Sequence, residues 1–362
     1  MAEAPRLRPT RPARYGTLDG MRGIAAIAVA IYHFRGTLTP HGYIAVDFFF
    51  CLSGFVLLEA YRGRVDGGLR TGPFLKARWL RLYPLYFVAL ALGIARYGEI
   101  LSRHDIAGIS ASDFYLSIAS NLVLLPSFVN PVLFPLSGQA WSLFCELLIN
   151  ALMIPLYLRL DRRGLAIFVA AAGAILTITA WLTWAYAQAH GIRSEPFDGG
   201  WMWDGIHLGV LRALFAFPMG MLASELLRGA PRRTSAIAFV PLAILAAIML
   251  SRAPHGWEFA FNAVAIIAVL PGLVFMGSRF ELPSLAGKVA RWAGDVSFAL
   301  YMVHWILTSL VAKQAQRLGL PAWLELACYL VIVLFLADVL TRWFDPLVRR
   351  RIARRRTQAV PG

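Results

Sequence analysis

Asp19-Gly-Met-Arg22-Gly-Ile-Ala-Ala-Ile-Ala-Val-Ala-Ile-Tyr-His33 is an apolar run with a guanidinium near its start and an imidazole at its end. Eleven residues on an α-helix turn about 1100°, so Arg22 and His33 fall within about 20° of one face, about 16 Å apart along the axis. Whether that face matters depends on the solvent around the helix. An ionisable side chain in hydrocarbon costs about 2.5–3.5 kcal/mol by insertion scales, so two of them on one membrane-spanning face point to function. A snorkelling arginine and a packing histidine are the plain structural alternative.

The rest of the chain fixes the solvent. Of 362 residues 59% are hydrophobic and only 15% charged, and the mean hydropathy is +0.62. Soluble domains carry about 25% charged residues, so this is an all-α, polytopic integral membrane protein. A net charge of +15 could suggest nucleic acid, but the arginines gather in short stretches between apolar segments, and no nucleic-acid partner is expected. Cys51, Cys145 and Cys328 lie within apolar segments at spacings that give neither a disulfide framework nor a zinc site, and no metal is expected.

Ten segments are long enough to cross about 30 Å of hydrocarbon: roughly 18–36, 43–61, 79–96, 138–158, 164–187, 204–227, 234–250, 257–278, 294–313 and 321–341. Alternate connections are basic: Arg6, Arg8, Arg11 and Arg14; Arg62, Arg64, Arg70, Lys76 and Arg78; Arg159, Arg162 and Arg163; Arg228, Arg232 and Arg233; Arg279, Lys288 and Arg291; and the Arg349–Arg356 tail. The connection 188–203 sets Glu195 and Asp198 against Arg193. By the positive-inside rule about ten spans place both termini in the cytoplasm, with an uncleaved first span. Residues 114–128 are broken by Ser117, Ser120 and Asn121 and read as an interfacial or re-entrant helix on the outer face. The organisation is a basic cytoplasmic arm (1–17), a transmembrane domain (18–345) and a basic cytoplasmic tail (346–362).

Further polar groups sit where lipid or tight packing should exclude them. Glu146 and Arg212 lie near mid-membrane in the fourth and sixth spans, His304 lies midway along the ninth, and Asp47 lies near the outer end of the second. They read either as a shared polar cavity or as helix-packing groups, with Glu146 and Arg212 as a register-fixing ion pair. Arg78 and Arg81, three residues apart at the start of the third span, can converge on one anion at a helix N-terminus or act as an ordinary basic anchor.

Taken in order, these residues resemble the acyltransferase 3 family of membrane acyltransferases, which acylate bacterial surface polysaccharides, nodulation oligosaccharides and some antibiotics. The similarity is carried by Arg22 and His33, which fit the family's Arg-x10-His pattern. It is carried further by Val46-Asp47-Phe48-Phe49-Phe50-Cys51-Leu52-Ser53-Gly54-Phe55, by Arg78-x-x-Arg81 with Tyr83-Pro84, by Trp141-Ser142-Leu143 with Glu146, and by Ser297 through His304. The chain departs from the family at Ile149-Asn150-Ala151 and at Asp345-Pro346. The periplasmic hydrolase-like domain of some members is not expected here, so any second acyl-handling step is expected to fall to another protein.

The resemblance implies a catalytic centre at His33 and Arg22, with Arg78 and Arg81 holding the donor from the cytoplasmic side. The donor is acyl-CoA, expected as acetyl-CoA, a co-substrate rather than a permanently bound cofactor. With it, His33 becomes the general base, and Glu146 and His304 are expected beside it. Arg22 is expected to hold donor phosphate or orient the cavity, and Arg212 to balance the charge of Glu146. Asp47, Arg212 and Trp141 are expected on the substrate side. The expected acceptor is a hydroxyl of a surface glycan or its lipid-linked precursor, and the expected location is the bacterial inner membrane. A proton-coupled transporter or flippase would also bury Glu, Arg and His in ten spans, but it predicts inverted repeats that the sequence lacks. A non-catalytic partner in polysaccharide assembly would leave the histidines without a task.

Overall fold

The computed structural model describes residues 14–66, 71–102, 110–192 and 194–358, with side chains described for 14–62, 71–101, 110–192 and 194–351. Arg6, Arg8, Arg11, Arg70 and Arg193 lie outside the described residues, as do the side chains of Arg64, Arg354, Arg355 and Arg356.

Each of the ten apolar segments is helical. The helices are α1 (Gly16–Arg35), α2 (Ala45–Asp66), α3 (Thr71–Ser102), the short α4 (Ala111–Leu122), α5 (Ala140–Tyr157), α6 (Arg162–Ala189), α7 (Ile206–Leu226) and α8 (Phe239–Leu250). They continue with α9 (Glu258–Val264) joined through a π-helical turn to α10 (Leu270–Arg279), then α11 (Ser284–Arg317), α12 (Ala322–Val339) and, after a second π turn at Leu340–Phe344, α13 (Asp345–Gln358).

Among the described residues eight helical stretches are long and apolar enough to cross a membrane. The other two expected spans fall short of that test, α1 because Asp19, Arg22 and His33 lower its hydropathy, and Ala236–Leu250 because it is short. Large apolar side chains on α6 and α12, among them Ile167, Leu182, Val331 and Phe335, are exposed. In an integral membrane protein those faces meet lipid rather than water. α4 spans only about 18 Å by its length, is capped where Ser110 accepts the Asp113 N–H, and is too short to cross the hydrocarbon.

Hydrogen bonds gather several of the basic connections at one end of the bundle. There the ends of α1, α2, α7 and α10 meet. Tyr15 donates to Glu59 at 2.9 Å, the Gly16 N–H donates to Glu281 at 2.9 Å, and Arg62 pairs with Glu225. Strands β1 (Arg233–Thr234) and β2 (Phe280–Glu281) pair in parallel beside them. At the opposite end Tyr43 donates to Asn262 at 2.6 Å and Arg35 to Glu325 at 2.7 Å.

Two helix pairs form the frame, α1 on α11 and α2 on α7. Small residues let the second pair touch backbone to backbone. A Cβ on Gly54 would lie 1.9 Å from the Phe217 carbonyl oxygen, and one on Gly220 would lie 1.8 Å from that of Cys51. Such close approach through small residues is how membrane helices gain packing where no hydrophobic effect drives them together.

Candidate active site

A cavity of about 610 Å³ lies between α1, α2, α3, α5, α11 and the start of α13. That volume is within the usual range for small-molecule sites. Its wall carries four guanidinium groups, from Arg22, Arg78, Arg81 and Arg349, with Glu146, Asp295 and Asp345. Arg22 is in the second turn of α1 and Arg349 is one turn into α13, whereas α3 begins at Thr71, so Arg78 and Arg81 lie about two to three turns inside it and not, as expected, at a helix N-terminus.

The arginines are held differently. Arg22 donates to the Gly294 carbonyl at 2.5 Å and reaches Asp19 at 3.4 Å, while its Nε is buried without a partner among the described residues. Arg14 supports this corner by bridging Asp19 at 2.8 Å and Asp295 at 2.6 Å. Arg78 donates to Glu146 and, at 3.1 Å, to Ser53, whose hydroxyl in turn donates to Glu146 at 2.7 Å. Arg81 is exposed and lines the same cavity. Arg349 donates to the Arg81 carbonyl at 3.2 Å and pairs with Asp345 at 2.7 Å. Arg78 and Arg81 therefore share a cavity as their spacing suggested, but one guanidinium is already tied to a carboxylate.

A chain of rings leads away from the cavity. Tyr301 lines it, and its hydroxyl donates to Ser142 at 2.8 Å, since the Ser142 hydroxyl is itself donated to the Gln139 carbonyl at 3.0 Å. The Tyr301 ring lies 5.5 Å from the His304 ring, which stacks on His33 at 5.2 Å with the planes 28° apart. Trp305 meets His33 edge-on at 4.8 Å. His304 is fully buried, and its Nδ1 lies 2.7 Å from the Tyr301 carbonyl oxygen. Since a carbonyl only accepts, Nδ1 carries the proton and Nε2 is a bare acceptor, without a partner among the described residues. His33 is half-buried, and neither of its ring nitrogens makes a hydrogen bond among the described residues. The two imidazoles stand beyond the cavity lining rather than in it.

Asp47, Arg212 and Trp141 form a separate, closed cluster. Arg212 donates to both Asp47 oxygens, at 3.0 and 2.6 Å, and to the carbonyls of Tyr43 and Gly199, with its guanidinium 5.7 Å above the Trp141 ring. The Arg212–Glu146 pairing is thus corrected: Arg212 belongs to Asp47 and Glu146 to Arg78. The helices α5 and α7 touch, but Arg212 meets α2 at Asp47 and Glu146 meets it at Ser53, six residues or about 9 Å further along, so the two do not share a height. Ser53, Tyr301 and Arg349 were not singled out from the sequence. Ser53 and Tyr301 sat inside motifs already marked, whereas Arg349 was hidden among tail arginines.

A family model described as an acyltransferase domain, that of the acyltransferase 3 family, matches residues 15–342. The chain belongs to the acyltransferase 3 family. Among relatives, it is 36% identical over 47% of its length to protein 2 in the picA locus of Rhizobium radiobacter, of which 96% is covered. It is 24% identical over 92% of its length to the peptidoglycan O-acetyltransferase OatA of Listeria monocytogenes, of which it spans 56%. It is 28% identical over 83% of its length to the acyltransferase MdmB of Streptomyces mycarofaciens, covering 80% of that protein. No solved structure matches the chain. As a member of the acyltransferase 3 family the protein is a membrane acyltransferase, and the arginine-walled cavity and the histidine stack are where its chemistry is sought.

Proposed function

We propose that this acyltransferase takes an acyl group, acetyl in the simplest case, from cytoplasmic acyl-CoA. It delivers that group to a hydroxyl of a surface glycan or its lipid-linked precursor in the bacterial inner membrane. The observation that carries this reading is the cavity at the basic end, walled by four arginines and continued by the Tyr301–His304–His33 ring chain. The basic end is the cytoplasmic one by the positive-inside rule. Anionic nucleotide phosphates suit Arg22, Arg81 and Arg349, since guanidinium forks match phosphate oxygens. The thioester arm then extends past Tyr301 toward His33. The naming of relatives as O-acetyltransferases supports a hydroxyl acceptor.

In the reaction the acceptor oxygen attacks the thioester carbonyl carbon while a neutral His33 nitrogen takes the hydroxyl proton. The carbon–sulfur bond breaks, and the thiolate leaves and is protonated as free coenzyme thiol. The ester forms on the acceptor. Neither His33 nitrogen is engaged by a described protein group, so its unprotonated one is open to that proton, and the stacked His304 carries a bare Nε2.

The test is thiol release by the purified protein in proteoliposomes supplied with acetyl-CoA, with and without a glycan acceptor. Acceptor-dependent release that falls by a factor of about 10² to 10⁴ in His33→Ala supports the assignment. Full activity of that variant overturns His33 as base, and solute movement without thioester loss overturns the enzyme reading in favour of a carrier.

A further inference from the structure

A second cavity, of about 250 Å³, lies at the basic end on the other side of α2. Phe55, Glu59 and Arg62 face it, whereas Ser53 and Val56 face the first cavity. Residues 53 and 55 point about 200° apart on a helix, so α2 is the wall between the two. The helices α1, α2, α7 and α10 pack on one another around the second cavity, which makes it a feature of the bundle interior and not of the lipid boundary.

Its lining sets Arg62, Arg228, Arg232 and Arg279 against one carboxylate, Glu59. Three of these arginines, Arg62, Arg228 and Arg232, already have partners. Arg62 binds Glu59, Glu225 and Ser224. Arg232 reaches Glu281 at 3.2 Å and the Arg14 carbonyl at 2.9 Å, with its guanidinium 4.7 Å above the Tyr15 ring. Arg279 is different: half-buried in the last turn of α10, it makes no hydrogen bond or ion pair among the described residues. A guanidinium has five N–H donors, and partly desolvating them without an acceptor is unfavourable. The helix C-terminus offsets its charge but occupies none of those donors. An anion with several oxygens would satisfy them.

We propose that this cavity is a phosphate-binding site, separate from the donor cavity, in which Arg279 and Arg232 hold a phosphate monoester group. The group enters either on a soluble phosphorylated molecule from the aqueous side or as a lipid headgroup. The site goes beyond the acyl-transfer reading and does not depend on it.

The test uses the full chain in phosphatidylcholine nanodiscs. Calorimetric titration with inorganic phosphate reads the soluble source, and native mass spectrometry of nanodiscs doped with phosphatidic acid reads the lipid source. Binding in either arm should weaken by about tenfold or more in Arg279→Gln, survive in Arg279→Lys, and weaken again in Arg232→Gln, which covers the case of a misfolded Arg279→Gln. Arg81→Gln should leave this component in place, separating it from phosphate held in the donor cavity. Binding in the phosphate arm alone assigns a soluble ligand and binding in the lipid arm alone assigns a headgroup, and both support the site. Absence of binding in both arms, or binding equally strong in Arg279→Gln and Arg232→Gln, overturns it.

Discussion

Arg212 and Asp47 are joined by two hydrogen bonds, at 3.0 and 2.6 Å, with each side chain only 1% exposed. Both charges have left water, and each is the other's main compensation. Removing one partner strands a buried charge, which costs about 3–5 kcal/mol, whereas replacing both by apolar groups of similar size is near neutral. Arg212→Met and Asp47→Leu should each lower the thermal midpoint in detergent sharply, and the double variant should recover most of the loss. Equal loss in the double variant would show that the pair's contacts to Tyr43 and Gly199 matter more than its charge balance.

Arg81 and Arg349 are the two cavity arginines whose side chains are most open to solvent. If they hold donor phosphate, their loss removes binding that is the same in the ground and transition states. KM for acetyl-CoA should then rise with kcat little changed. Arg81→Ala and Arg349→Ala should each raise KM by about 5- to 30-fold, corresponding to about 1–2 kcal/mol per charge-assisted contact. The wild-type KM should itself rise with salt, as screening predicts. Steady-state kinetics at two ionic strengths would check both.

His304 stacks on His33 and carries a bare Nε2, with its tautomer fixed by the Tyr301 carbonyl. His304→Phe keeps an aromatic ring against His33 but removes that acceptor. As a positioning residue for His33, His304 should affect kcat more than KM for either substrate, and the pH profile of kcat should shift. A structural role alone would leave the profile of the residual activity unchanged.

Much of this arrangement could be read from the sequence, and the exceptions have a common cause. All ten apolar segments became helices because length and hydropathy are properties of one segment at a time. The sequence places Arg22, Arg78 and Arg81 at the basic end and Glu146 near mid-membrane, and in the structure all four line one cavity. Depth is one coordinate of three, however. Glu146 and Arg212 are each the seventh residue of their helix, yet they meet α2 at Ser53 and Asp47, about 9 Å apart, so each found another partner. Arg349 shows the same limit, because its place beside Arg81 follows from the π turn at Leu340–Phe344, which no periodicity signals.

Glu281, in the connection between α10 and α11, is held above the usual carboxylate range, first by burial, which outweighs the Gly16 N–H and Arg232 contacts that favour its charged form. The folded state therefore keeps this proton to higher pH than the unfolded chain. Between the two values the folded state binds more protons, so stability falls as pH rises through that window and is greater on its acid side. Glu281→Gln mimics the protonated form and should flatten that slope in a series of thermal midpoints across mildly acidic to neutral pH. An unchanged slope would assign it to other groups.

α1 carries Arg22 and His33 on one rigid rod, on nearly the same face and about 16 Å apart. A donor anchored by its nucleotide at the arginines can offer the imidazole only what lies at that reach. If the donor is the proposed acyl-CoA, the helix is in this sense a ruler whose graduation is the length of the arm between phosphate and thioester. Lengthening α1 by one turn between Ala25 and Ala30 would move the imidazole without altering a single reacting group, so selectivity among donors would be set by a distance and not by a pocket shape.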